Sequence, residues 1–175
     1  LLQVESGAGE AGTTEVALGL RGPMGERTVR YEIEGNQLRV HRSPGERLPV
    51  SLALPEGCVF LPLTRNYLGA VLRELAAREG GRGAVLVPEL EDPGAATALE
   101  PLISHRQVLL ADEGAHTIAT AGQAWNTVPY GFTGGPYDHR SVFWVCRDSG
   151  RLVRYAFASG SGERWSCELV ESHAR

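Results

Sequence analysis

Five histidines, three cysteines and one short acidic run are the residues of this chain whose types could carry chemistry. A metal site needs several His, Cys or carboxylate ligands within coordination reach, and a nucleophilic site needs Ser or Cys beside a base and an orienting group. His41, His105, His116, His139 and His173 show no paired spacing, and HExxH, GxSxG, phosphate-loop and dinucleotide patterns do not occur. Cys58, Cys146 and Cys167 are an odd set without a CxxC pair, so neither a zinc site nor a disulfide framework is indicated. Glu89, Glu91 and Asp92 crowd a proline-bounded loop but lack the glycine-containing pattern of a calcium-binding hand, and read as solvated carboxylates. Ser141 or Ser161 would need a histidine and a carboxylate assembled in space. Cys58, after Gly57 in a turn, is the strongest nucleophile candidate among the thiols. The expectation is a non-catalytic chain with no metal and no cofactor.

Composition narrows the function classes further. All 17 basic residues are arginine, which removes Schiff-base, phosphate-loop and cofactor-linking lysines. A net charge of −4 offers no diffuse positive field for phosphate backbones, so nucleic acid is not an expected partner. No apolar run approaches the roughly 18 residues needed to span a bilayer, so the visible chain is expected not to be transmembrane. Residues 1–13 read as a flexible, acidic, Gly-rich lead-in beginning at Leu1 rather than Met, the expected form of a processed or truncated start. The remaining 14–175, within a chain of 175 residues that is 42% hydrophobic, have the size of one domain.

The elements that must position any site are mostly strands. Thr14–Leu20, Thr28–Ile33 and Gln37–His41 alternate polar with apolar residues and are separated by Gly-containing turns, a meander with one wet face. Leu48–Leu54 continues it and ends at the turn Pro55-Glu56-Gly57. The one convincing helix runs from about Arg65 to Glu79. Leu68, Val71, Leu72 and Leu75 form its apolar stripe, with Thr64 as N-cap and Gly80 as a left-handed terminator. Ala84–Val87 is a buried-type strand, Ala95–Leu102 is expected to make a helical turn or two, and Gln107–Leu110 and Thr117–Thr120 follow as strands. Ser141–Cys146, Leu152–Phe157 and Arg164–Val170 read as three consecutive antiparallel strands. Val153, Tyr155 and Phe157 are then expected to share a face with Trp165, Cys167 and Leu169. The strand between them separates Cys146 from Cys167, so no bond is expected there.

The stretch from Trp125 to Arg140 holds four aromatic rings, three glycines and two prolines, and reads as a bent strand leading into a loop. It is either an aromatic lip over a ligand cavity or a turn plugged by its own rings, and an exposed Trp125 and Tyr137 would suit a sugar face. With one helix to cover a sheet, a concave apolar surface is the default ligand site. Its expected lining is Tyr67, Leu68, Leu72, Trp125, Tyr130, Tyr137, Trp144, Tyr155 and Trp165.

Two groups of residues carry a resemblance over roughly Thr14 to Val170. The first is a Leu-Pro-x-Gly segment with a following Phe (Leu54, Pro55, Gly57, Phe60) ahead of the helix. The second is a Tyr-x-x-x-Gly-Gly segment (Tyr130, Gly134, Gly135) followed by an aromatic strand and the run Gly150 to Tyr155. The order resembles uncharacterised bacterial envelope proteins, similar in fold to lipoprotein-carrier and glycolipid-binding proteins. The resemblance implies a half-barrel, a strongly curved antiparallel sheet wrapped around one principal helix. It also implies a periplasmic or otherwise exported location and a lipophilic ligand, a lipid or lipoprotein tail, on the concave face. The alternative partner is another envelope protein in a structural or assembly role; a hydrolase with a spatially assembled site ranks below both.

Overall fold

A computed structural model describes residues 2–8, 13–22, 25–43, 50–62, 65–90, 92, 94–95, 97–134, 141–158 and 164–169. It is mainly antiparallel β, with one α-helix among the described residues. Within the stretch expected as a single domain, the chain divides into two compact units, Leu1–Leu63 with Leu86–Ile103, and Thr64–Val85 with Ser104–Arg175.

The first unit is a meander. Strands β1 (Leu2–Ala8), β2 (Thr13–Gly22), β3 (Gly25–Glu34), β4 (Gln37–Ser43) and β5 (Val50–Ala53) pair in sequence order. Alternation sets the register: Val16 lies opposite Tyr31 and Tyr31 opposite Val40, and all three are buried with Leu18, Val29 and Leu38. The residues between them are exposed or half-buried. Gly35, at φ +58°, makes the β3–β4 turn that its Glu-Gly-Asn sequence predicts. Leu2–Ala8 corrects the expected lead-in. Its Leu-Gln-Val-Glu alternation is strand-like, and it pairs along β2 with Leu2 opposite Leu20 and Val4 opposite Leu18. The turn at Pro55 closes by an N–H of Cys58 donating to the Pro55 carbonyl at 3.0 Å, and leads into β6 (Val59–Phe60).

A polar clamp holds the long connection of this unit to its sheet. The Tyr31 hydroxyl donates to the carbonyl of Leu99, and the Tyr31 ring packs 5.3 Å from that of Phe60. Burial holds the Tyr31 phenol far above its ordinary range, with Arg42 opposing and Glu100 reinforcing the shift. Leu99 is fully buried at φ +66°, and its N–H donates to Glu89 at 2.6 Å. Arg42 and Glu100 form an ion pair at 3.1 Å. The helical turns expected over Ala95–Leu102 are not formed. Thr97–Leu99 is a turn and Pro101 opens a strand, because Leu99 leaves the right-handed region and ends any helical path.

In the second unit, helix α1 (Arg65–Ala76) buries Leu68, Val71, Leu72 and Leu75 as the stripe predicts, and ends three residues early in a 3-10 turn, Glu79–Gly81. Thr64 lies outside the described residues; Gly80 takes φ +64° as expected. Strands β7 (Arg82–Pro88) and β8 (Pro101–Leu110) begin in one unit and end in the other. They are followed by β9 (His116–Thr120), β10 (Gln123–Thr133), β11 (Val142–Cys146), β12 (Leu152–Ala158) and β13 (Arg164–Glu168). Their order is β13-β12-β11-β10-β8-β7, with β9 folded back on β10. Among the described residues both strand paths are open, with no pairing between first and last strands.

Helix α1 is seated on β11 and β12. A Cβ at Gly69 would overlap the Gly150 carbonyl oxygen and stand 3.0 Å from the Leu152 nitrogen, so the helix backbone rests directly on the turn joining the two strands. Gly150 itself needs φ +71°. Both obstacles are backbone and cannot swing aside. Gly69→Ala is therefore expected to destabilise the protein by about 3 kcal/mol, despite alanine's better helix propensity. Urea unfolding checks it; an unchanged or raised midpoint would mean the helix is not seated there.

Candidate functional site

The second unit holds every residue expected to line a ligand site, so its sheet is where a site has to be built. Alternation gives β10, β11 and β12 two aromatic faces. On one face Phe132, Phe143, Tyr155 and Phe157 form a row: Phe132 meets Phe143 edge-on at 6.4 Å, Phe143 stacks on Tyr155 at 6.1 Å, and Tyr155 stacks on Phe157 at 6.2 Å. Phe132, Phe143 and Tyr155 are buried. The guanidinium of the buried Arg106 lies 5.7 Å from the Phe132 ring centre, and its Nε donates to the Ser104 hydroxyl at 2.9 Å.

The opposite face carries a second cluster, in which Ile118, Trp125, Cys146 and Val153 are buried together with Trp144 and Leu169 packed against them. Trp125 is only 8% exposed, which corrects the exposed position a sugar platform requires. Its indole N–H donates to the Thr120 carbonyl at 3.1 Å, the Thr120 hydroxyl donates to Leu169 at 2.6 Å, and Arg151 lies 5.8 Å from the ring. Arg154 covers Trp144 at 5.8 Å while it pairs with Glu168.

The nine expected lining residues therefore part company. Leu68 and Leu72 are buried on α1, Tyr155 is buried in the ring row, and Trp125 and Trp144 share the opposite cluster. Tyr130 is half-buried, Tyr67 and Trp165 are exposed, and Tyr137 lies outside the described residues. Sequence reasoning passed over Phe132, Phe143 and Phe157, although their two-residue spacing from Tyr130 and Tyr155 and the alternation of β11 put them on one face. A shallow groove of about 360 Å³ lies elsewhere, between Ala70, Arg73 and Glu74 of α1 and the turn residues Ser149 and Gly150; none of the nine lines it.

β13 differs from the other strands of this sheet. It ends the strand order, all five of its residues are exposed, and Trp165 is 55% exposed. Of the expected shared face, the register keeps Tyr155 opposite Cys167 and Phe157 opposite Trp165, whereas Val153 and Leu169 pack in the Trp125 cluster, where the register shift beside Trp144 breaks the alternation. The cover that buries Tyr155 does not reach across to β13.

Among the described residues no group of His, Cys, Asp and Glu could hold a metal ion. His41 pairs with Glu32 at 3.2 Å and His116 with Asp112 at 3.1 Å; His139 and His173 lie outside the described residues. Ser141 Oγ is buried without a hydrogen-bond partner among the described residues, and Ser161 lies outside them. None of the cysteines is in a disulfide; Cys58 is half-buried, Cys146 buried and Cys167 exposed. No helix among the described residues is long and apolar enough to cross a membrane.

The surroundings of Cys146 change the acidity of its thiol. Burial pushes it up, but hydrogen bonds from the Ser149 hydroxyl and from the Ser149 and Asp148 backbone outweigh burial and the nearby Asp148 charge, and hold it below the usual thiol range. The signal was the tetrad Arg147-Asp148-Ser149-Gly150 directly after the cysteine, a turn that folds its donors back on the residue before it. Compared with protein-family models, curated proteins and solved structures, the chain matches none of them. In a Cys58→Ser, Cys167→Ser background, Ser149→Ala is expected to move the thiolate absorbance of Cys146 to higher pH; an unmoved midpoint would show that the turn does not stabilise the thiolate.

Proposed function

We propose that this chain is a non-catalytic binding module that takes an extended segment of another polypeptide along the edge of β13. The observation that carries this reading is that all five β13 residues, Trp165 included, are exposed at the end of the strand order. The Leu169 N–H donates to the Val153 carbonyl at 2.8 Å, and with Tyr155 opposite Cys167 this turns the backbone groups of Trp165 and Cys167 towards β12. Those of Arg164, Ser166 and Glu168 face away from β12, a row of donors and acceptors that an added strand satisfies. Trp165 then supplies a large amphipathic ring beside the new strand. The proposed setting is the cell envelope, supported by the resemblance at Leu54–Phe60 and Tyr130–Tyr155.

A second reading keeps a lipid or lipoprotein tail on a sheet curled as a half-barrel around α1. One observation favours it: Tyr67, 36% exposed, and Trp165 leave large apolar surface uncovered in the unit that holds the buried ring row. Native mass spectrometry of protein purified from its own host is expected to show a stoichiometric extractable lipophile on this reading, and a clean apo mass removes it.

The edge reading is tested with a displayed library of random ten-residue peptides and the variant Ser166→Pro. Proline removes an outward N–H without touching a bond to β12, so the fold is expected to persist while selected peptides lose on the order of tenfold or more in affinity. No enrichment, or binders indifferent to the proline, would sink the proposal.

A further inference from the structure

We infer that the segment taken up by the β13 edge is the β13 of a second copy of this chain, paired antiparallel about a two-fold axis through Ser166. The inference rests on the edge reading above and supplies its occupant.

The five residues Arg164-Trp165-Ser166-Cys167-Glu168 read as a self-complementary strand. When two antiparallel copies are centred on Ser166, residue 164 of each faces residue 168 of the other. Arg164 therefore meets Glu168 at both ends of the ladder, Trp165 lies opposite Cys167 twice, and Ser166 faces its own copy. Opposite charges directly across an antiparallel pair are stabilising and like charges destabilising, so the ends select this register against slips that put arginine on arginine.

The backbone phase agrees with the charge pattern, and it is an independent observation. The bond from Leu169 to Val153 leaves the outward N–H and C=O groups on Arg164, Ser166 and Glu168. These are the positions that face one another in the two-fold register, so each facing pair exchanges both of its backbone hydrogen bonds. Had the phase been the opposite, the two-fold register would have placed non-bonding pairs at the charged ends. Glu168 already pairs with Arg154 of β12, so in the dimer each carboxylate lies between an arginine of its own sheet and Arg164 of the other copy. All five residues are exposed in the single chain and none has to be uncovered first.

Five residues a side make a small interface, and dissociation is expected on the order of 10–100 µM. The test is sedimentation equilibrium of the full chain and of Arg164→Glu, Glu168→Arg and Ser166→Pro, with circular dichroism confirming each fold. Wild type is expected to dimerise, and each single charge reversal, which sets like charges opposite one another at both ends, to weaken the dimer on the order of tenfold. An equimolar mixture of Arg164→Glu with Glu168→Arg is expected to recover the dimer, because both ends of the mixed pair are again opposite in charge. Ser166→Pro is expected to be monomeric. A wild-type monomer at several hundred micromolar overturns the inference. If library peptides still bind wild type and not Ser166→Pro, the edge reading survives without a second copy as occupant; if they do not, both fall. A dimer insensitive to both charge reversals and to the proline places self-association elsewhere and also overturns it.

Discussion

Contact between two backbones, at Gly69 of α1 and Gly150 of the β11–β12 turn, is the constraint on which the second unit depends. Helices normally stand off a sheet by the length of their side chains, and here the standoff vanishes at one point. That contact fixes where the helix meets the sheet, so Leu68, Val71, Leu72 and Leu75 are buried against their own protein. It also ties the helix to the Arg147–Gly150 turn, whose other side supplies the donors around Cys146. A stripe that sequence alone could assign to a partner or a membrane is thereby spent on the fold. Among the described strands of that sheet, β13 is the most exposed.

The two faces of that sheet are closed by different physics. One is a row of rings whose area and edge-on or stacked contacts make it core. The other is half polar. Tryptophans 125 and 144 are capped by Arg151 and Arg154, whose planar guanidinium groups cover aromatic surface while staying near water. Arginine in place of lysine throughout the chain suits this use, because a compact, strongly hydrated ammonium covers a ring less well.

Strand alternation made most of the fold legible. The meander from Thr14, the α1 stripe, and the three C-terminal strands all follow from period-two and helical-period patterns, which record burial directly, while the register shift beside Trp144 moves Val153 off the face that alternation gives it. The failures lie where burial depends on a distant partner. Leu2–Ala8 has only a weak apolar alternation and joins the sheet because β2 offers it an edge. Ala95–Leu102 has helical propensity, overridden by the Tyr31–Leu99 and Glu89–Leu99 bonds. For the site, composition identified aromatic residues but not which of them would be capped. The indole N–H of Trp125 is satisfied by Thr120 five residues away, and nothing in the local sequence announces it. The division of Trp165 from Tyr155, opposite neighbours on one face, likewise depends on how far cover extends across the sheet.

Two demands pull against each other at Leu99. Its backbone lies in the left-handed region, where glycine or asparagine is at ease, while its side chain is fully buried in an apolar cluster, where a branched hydrocarbon is needed. Glycine would relieve about 1 kcal/mol of backbone strain and open a cavity costing about 2–5 kcal/mol. Valine and isoleucine, branched at Cβ, would fill part of the space and sharpen the strain. Each of these changes thus loses more than it gains, and the carbonyl that Tyr31 needs stays where leucine holds it.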